Sequence, residues 1–185
     1  MRVLLEGRLG SVRIPLQVDV GFGDAIVPAP EELEFPTPLE FPAPKLNAYS
    51  KASVVAEKFE AIVKLGLANS RMKDFYDLSV LAQRFEFENA TLAAAIQATF
   101  ETRRTPLPSS LPLAFSRDFR QLPNKQTQWK AFLRKSGLNA NSSLEDAASL
   151  GATTSGLVGV RQRSAIPISL FASPGPSLFE ERSGK

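Results

Sequence analysis

The 185-residue sequence contains no cysteine and no histidine. Without cysteine there can be no disulfide and no thiolate zinc site. Without histidine the commonest general base, the serine-type triad and any imidazole-ligated metal are excluded. Chemistry in this chain must rest on carboxylates, lysine, arginine and hydroxyls. Long apolar runs are also lacking, and none approaches the roughly 20 residues of a membrane-spanning helix. The opening stretch Met1-Arg2-Val3-Leu4-Leu5-Glu6 is too briefly apolar for a signal peptide. A soluble, cytoplasmic protein is the expectation, with no membrane partner. Charge of one sign is scarce as well: 22 Lys+Arg against 19 Asp+Glu leave a net charge of +3. That is too mild to argue for nucleic acid by itself, though it permits an anionic partner.

What is present is ordinary for a globular protein. Hydrophobic residues make up 43% and charged residues 22%, enough to build a core. The length suits one domain, or one and a half small ones.

Residues 2 to 20 predict a β-hairpin. Val12, Ile14, Leu16, Val18 and Val20 alternate with Arg13, Pro15, Gln17 and Asp19. Gly10-Ser11 supplies the turn, and Pro15, lacking an amide donor, implies an edge strand or a bulge. Gly21-Phe22-Gly23-Asp24 then ends the strand. Pro28, Pro30, Pro36, Pro38, Pro42 and Pro44 predict an extended connector. Helices are predicted from Ser53 to Leu65 with Gly66 as its stop, from Asn69 or Ser70 as cap to Phe85, and from Ala90 to Thr102 with Asn89 as cap. Trp129, Phe132 and Leu133 mark a short fourth helix, and 144–150 a further helical stretch. From 151 to 185 the chain is rich in Gly, Ser, Ala and Pro without a sustained period. This predicts a poorly ordered tail.

The residues able to carry chemistry fall in two places. Asp19 ends a strand before a glycine-flanked turn, where a carboxylate can bind a hard cation such as Mg2+, or simply cap the turn or face water. Asp24 is a turn residue by the same logic. The second place is the pair of helices containing Glu57-Lys58-Phe59 and Arg71-Met72-Lys73-Asp74-Phe75-Tyr76-Asp77. Asp74 and Asp77 share a helix face, and Lys73 can pair with Asp77 four residues on. Both carboxylates also suit the start of a helix. Cations to hold phosphate and carboxylates to hold metal are what phosphoryl and nucleotidyl chemistry needs. Arg103-Arg104, Arg117, Arg120, Lys125 and Lys130 make the second half loosely basic. They are a solvated surface or a set of phosphate contacts.

The stretch Val18-Asp19-Val20-Gly21-Phe22-Gly23-Asp24 resembles the second motif of the AbiEii/AbiGii toxin family. Val54-Val55-Ala56-Glu57-Lys58-Phe59 and Ser70-Arg71-Met72-Lys73-Asp74-Phe75-Tyr76-Asp77-Leu78 resemble its third and fourth. The motifs stand in the family's order, and the resemblance covers about residues 1 to 135. It implies a polymerase β-like nucleotidyltransferase that moves a nucleoside monophosphate from a nucleoside triphosphate to an acceptor, in some relatives the 3′ end of tRNA. It also implies Mg2+, an antitoxin partner, and growth arrest or phage defence.

On this resemblance Asp19 matches the family's lone third metal-binding acid. Lys58 matches its phosphate-contacting lysine and Asp74 its essential aspartate, so Asp19, Lys58 and Asp74 are the implied catalytic set. Lys73 and Asp77 join Lys58 as implied nucleotide contacts. The family's Gly-Ser followed by Asp-x-Asp does not precede Asp19, and Ala52 stands where a Glu is frequent. The expectation is therefore a truncated chain, lacking two metal-binding acids and complemented by a separate N-terminal chain. The alternative is a non-catalytic remnant or partner-binding module. The expected fold is α+β: a nucleotidyltransferase-like sheet remnant over 1–27, a Pro-rich connector over 28–48, a helical bundle over 49–140 and the tail over 141–185.

Overall fold

Apolar residues at every second position, with Leu4 an exception on the opposite face, make Arg2–Leu9 (β1) and Val12–Asp19 (β2) an antiparallel ribbon in this computed structural model. The structure describes residues 1–37, 40–138 and 142–149. The predicted tail therefore lies outside the described residues from position 150 on, as do Pro38 of the connector and residue 141. The ribbon turns at Gly10, whose φ of 58° lies in the left-handed region that glycine tolerates. Val3 pairs with Val18, Leu5 with Leu16 and Leu9 with Val12, so the apolar side chains share one face. Most of that face is exposed. Pro15 stands opposite Glu6 without breaking the register.

The connector is extended, as its prolines require, but part of it also pairs. Glu31–Glu34 (β3) and Lys45–Ala48 (β4) form a second antiparallel ribbon, with Leu33 opposite Leu46. Phe35 N–H donates to Pro44 O at 2.9 Å and carries the ladder one step further.

The helices then build the core. The first, Lys51–Leu65 (α1), starts at Ser50, whose Oγ accepts the Ser53 amide at 3.1 Å. It stops at Gly66, where φ is 50°. Ala52, Val55, Ala56, Phe59 and Ile62 recur at three- and four-residue steps and bury one stripe. A short 3-10 turn, Gly66–Ala68, leads to Met72–Arg84 (α2), followed by Asn89–Thr102 (α3). A second 3-10 turn, Leu113–Phe115, precedes Arg117–Gln121 (α4) and Pro123–Lys135 (α5). The last helix described, 144–149 (α6), buries Leu144, Ala147 and Ala148.

Five buried phenylalanines run through this core as a row: Phe100, Phe59, Phe115, Phe75 and Phe119, with successive centroids 5.5 to 6.0 Å apart. Each comes from a different element, so the row joins α3, α1, the second 3-10 turn, α2 and α4. The chain is thus α+β, two antiparallel ribbons followed by a helical bundle. Three local expectations change. Neither Asn69 nor Ser70 caps α2, because its cap position is Arg71 and has no side-chain cap bond. Asn89 lies inside α3, with Glu88 at the cap position. The helix around Trp129 is α5, 13 residues long and started by Pro123, and a separate short helix that the sequence did not announce, α4, precedes it.

Candidate functional site

Lys58 sits one residue before Phe59, a core anchor of α1, and so at the edge of the buried stripe. Its ammonium leaves the core beside the first turns of α2. There its Nζ lies 3.2 Å from Asp74 Oδ1 and 2.5 Å from Asp77 Oδ2. Asp74 and Asp77 share a face because they are three residues apart, and Asp77 also takes the Lys73 ammonium at the predicted four-residue spacing. Arg71 Nε approaches the other Asp74 oxygen, Oδ2, at 2.8 Å. That contact is an ion pair without hydrogen-bond alignment, so the buried Oδ2 accepts no hydrogen bond. The Asp74 side chain is only 4% exposed and Lys58 19%, whereas Arg71 and Lys73 are 60% and 69% exposed. Three cations thus surround two carboxylates, an excess of one positive charge. Two of the cations are open to solvent at the start of a helix, a setting that favours anions.

Asp19 is not part of this cluster. Its carboxylate takes Arg2 Nε at 2.7 Å, Arg2 Nη2 at 3.3 Å and Gln17 Nε2 at 2.8 Å, all within the first ribbon. The Arg2 bond, then the Gln17 bond, hold its pKa below the ordinary 3.8. Among the described residues no group of three Asp or Glu side chains is arranged to hold a metal ion. Both Asp19 oxygens are occupied by donors, so these residues do not by themselves fit a divalent cation.

Asp24 is more than a turn residue. Arg103 reaches from the end of α3 and donates to Asp24 Oδ1 at 3.2 Å and to Glu60 Oε2 at 3.0 Å. Thr105 Oγ1 donates to the other Glu60 oxygen. Glu57 Oε1 lies 3.6 Å from the same guanidinium but accepts no hydrogen bond. Burial raises the Glu57 pKa above its ordinary 4.5, against the charge of Arg103. Burial works to lower the Arg103 pKa, but its bonds to Glu60 and Asp24 prevail and hold it above the ordinary value. With Ser53 Oγ donating to Val27 O at 2.9 Å, this cluster fastens the segment that leaves β2 onto α1 and α3.

Half of the basic residues singled out in the second part of the chain turn inward. Besides Arg103, Arg120 pairs with Glu145 at 2.7 Å and bonds Ser149 Oγ at 2.9 Å. Lys125 is buried and donates to the Asn69 carbonyl at 2.6 Å. These three are internal struts, while Arg104, Arg117 and Lys130 remain exposed.

The family model described as nucleotidyl transferase AbiEii toxin, Type IV TA system, matches residues 1–149. The chain belongs to the AbiEii family. No curated protein and no solved structure matches it. The AbiEii match takes in both ribbons and every described helix, further than the motifs alone reach. At the level of the AbiEii family the function is that of a toxin nucleotidyltransferase, a class that uses a nucleoside triphosphate and a divalent metal, and that has an antitoxin partner. No described helix is long and apolar enough to cross a membrane.

Three residues, one in this site and two that brace the fold around it, escape a reading of the motifs. Arg71 carried a local signal, standing three residues before Asp74. Arg103 and Lys125 carried none, because their partners lie 43 and 56 residues away.

Proposed function

We propose that this chain carries the lysine–aspartate part of an AbiEii nucleotidyltransferase site and grips the phosphates of a nucleoside triphosphate there. One observation carries the reading: Lys58 is held between Asp74 and Asp77, with Arg71 and Lys73 flanking it and one positive charge in excess. In the transfer, an acceptor hydroxyl oxygen bonds to the α-phosphorus and pyrophosphate leaves. Positive groups fixed before the reaction stabilise the charge on the phosphates without reorganising. Asp74 and Asp77 aim the Lys58 ammonium, and Lys73 and Arg71 supply the outer phosphate contacts.

Asp19, the family's third metal-binding acid by resemblance, has both carboxylate oxygens taken by Arg2 and Gln17, so no step of this reading is routed through Mg2+. The acceptor in this reading is the 3′ end of tRNA in the cytoplasm, with exposed Arg104, Arg117 and Lys130 as phosphate contacts. The outcome is growth arrest or phage defence, restrained by an antitoxin.

The test is transfer of label from α-labelled triphosphates to tRNA, with and without a polypeptide supplying Gly-Ser and Asp-x-Asp. Labelled tRNA that disappears in Asp74→Asn is the expected result. Transfer that Asp74→Asn leaves intact contradicts it.

A second reading has one observation in its favour. The apolar face of the first ribbon, with Leu5, Leu9, Val12, Ile14, Leu16 and Val18, is exposed, and a contiguous face of this kind marks an interaction surface. On that reading the chain is a binding module. It predicts a stable complex with the antitoxin and no loss of that complex in Lys58→Ala.

A further inference from the structure

Lys125 is an uncommon residue in this core. It is 3% exposed, and no carboxylate pairs with it among the described residues. Its ammonium lies 5.0 Å from the Phe119 ring centroid and donates to the Asn69 carbonyl at 2.6 Å. Burial lowers its pKa below the ordinary 10.5. A charge in such a place costs folding energy that a hydrocarbon side chain would avoid.

What the ammonium holds is the turn that launches α2. Asn69 is fully buried, and its Oδ1 accepts the Arg71 amide at 2.7 Å, while its Nδ2 has no partner. That bond sets where Arg71 stands at the cap of α2, in place of a side-chain cap. Arg71 Nε then grips Asp74 Oδ2 at 2.8 Å, and Asp74 Oδ1 takes Lys58. The contacts form one chain from α5 to the site: Lys125, Asn69, Arg71, Asp74, Lys58.

We propose that Lys125 is a positioning residue, which sets the Asp74–Lys58 geometry from behind through the buried Asn69 turn. The role rests on the reading of Lys58 as a phosphate contact for its use in binding, but not for the geometry itself. The main chain of a turn can shift by part of an ångström when a buried carbonyl loses its donor, and such a shift reaches Asp74 within five residues.

The experiment compares wild type with Lys125→Met, which keeps the stem over Phe119, and with Lys135→Met, an exposed lysine on the same helix. Circular dichroism checks folding. The Asp74 carboxyl carbon signal is followed by NMR, and each of the four ribonucleoside triphosphates is titrated calorimetrically. Lys125→Met is expected to move the Asp74 signal and weaken triphosphate binding about tenfold, while Lys135→Met changes neither. An unmoved Asp74 signal in folded Lys125→Met overturns the proposal. If Lys125→Met does not fold, Lys125→Leu decides by the same signal, since it too removes the donor to the Asn69 main-chain carbonyl. If wild type binds no triphosphate, the phosphate reading of Lys58 fails, and the Asp74 signal alone decides the positioning role.

Discussion

Replacing Arg103 with methionine should destabilise the helical bundle through Glu60, not through lost surface charge. Glu60 is 2% exposed at its side chain and takes Arg103 Nη1 at 3.0 Å. After the change its carboxylate keeps only the Thr105 hydroxyl and Lys64, whose ammonium is 3.9 Å away and largely in water. Removing one partner of a buried pair costs about 3–5 kcal/mol. Arg103 itself is 28% exposed, so solvent screens part of its charge and the loss here falls to about 2–3 kcal/mol. For a body of this size that lowers Tm by about 10 °C. Changing Glu60 to Gln as well removes the stranded carboxylate. The double variant should therefore be more stable than Arg103→Met alone, with a coupling of about 1–2 kcal/mol. Urea unfolding followed by Trp129 fluorescence measures all four corners of the cycle. Additive effects, or an Arg103→Met loss under about 0.5 kcal/mol, would refute the reasoning.

Phe115 links the two halves of the phenylalanine row, touching Phe59 and Phe75 with centroids 6.0 and 5.7 Å away. Phe115→Ala should cost about 3–5 kcal/mol by urea unfolding, and a loss near that of an exposed Leu would show that the row is not the core. Glu57 gives a pH prediction. Its folded pKa is raised by burial, so the folded state holds the proton more tightly than the unfolded chain does. Stability must then fall as pH rises from the ordinary 4.5 through the raised folded value. Glu57→Gln should flatten that part of the curve, and urea midpoints that decline in parallel for both proteins would rule Glu57 out as the cause.

The parts of this molecule that could be read in the sequence are those held by short-range rules. The first ribbon follows from its alternating apolar positions and from Gly10, and α1 from its apolar stripe and the Gly66 stop, although the helix starts at Lys51 after Ser50 and not at Ser53. The Lys73–Asp77 pair follows from its spacing of four. The motifs around Lys58 and Asp74 suggested one site, and their side chains do meet. What could not be read depends on contacts between distant segments. Glu31–Glu34 is too short and too acidic to announce a strand and is paired only because Lys45–Ala48 returns beside it. Arg103, Arg120 and Lys125 look like surface charge in a list of residues. Tertiary packing turns each of them inward, onto Glu60, Glu145 and Asn69. Asp19 was grouped with Lys58 by motif order, yet its bonds stay within the ribbon.

The central claim is that Lys58, framed by Asp74 and Asp77, receives a triphosphate. Isothermal titration of the chain with each nucleoside triphosphate, with and without Mg2+, tests it directly beside the Lys58→Ala and Asp19→Ala variants. The account predicts binding by wild type that Lys58→Ala loses and that, without Mg2+, Asp19→Ala retains. Binding that survives in Lys58→Ala, or a folded wild type that binds no triphosphate, would contradict it.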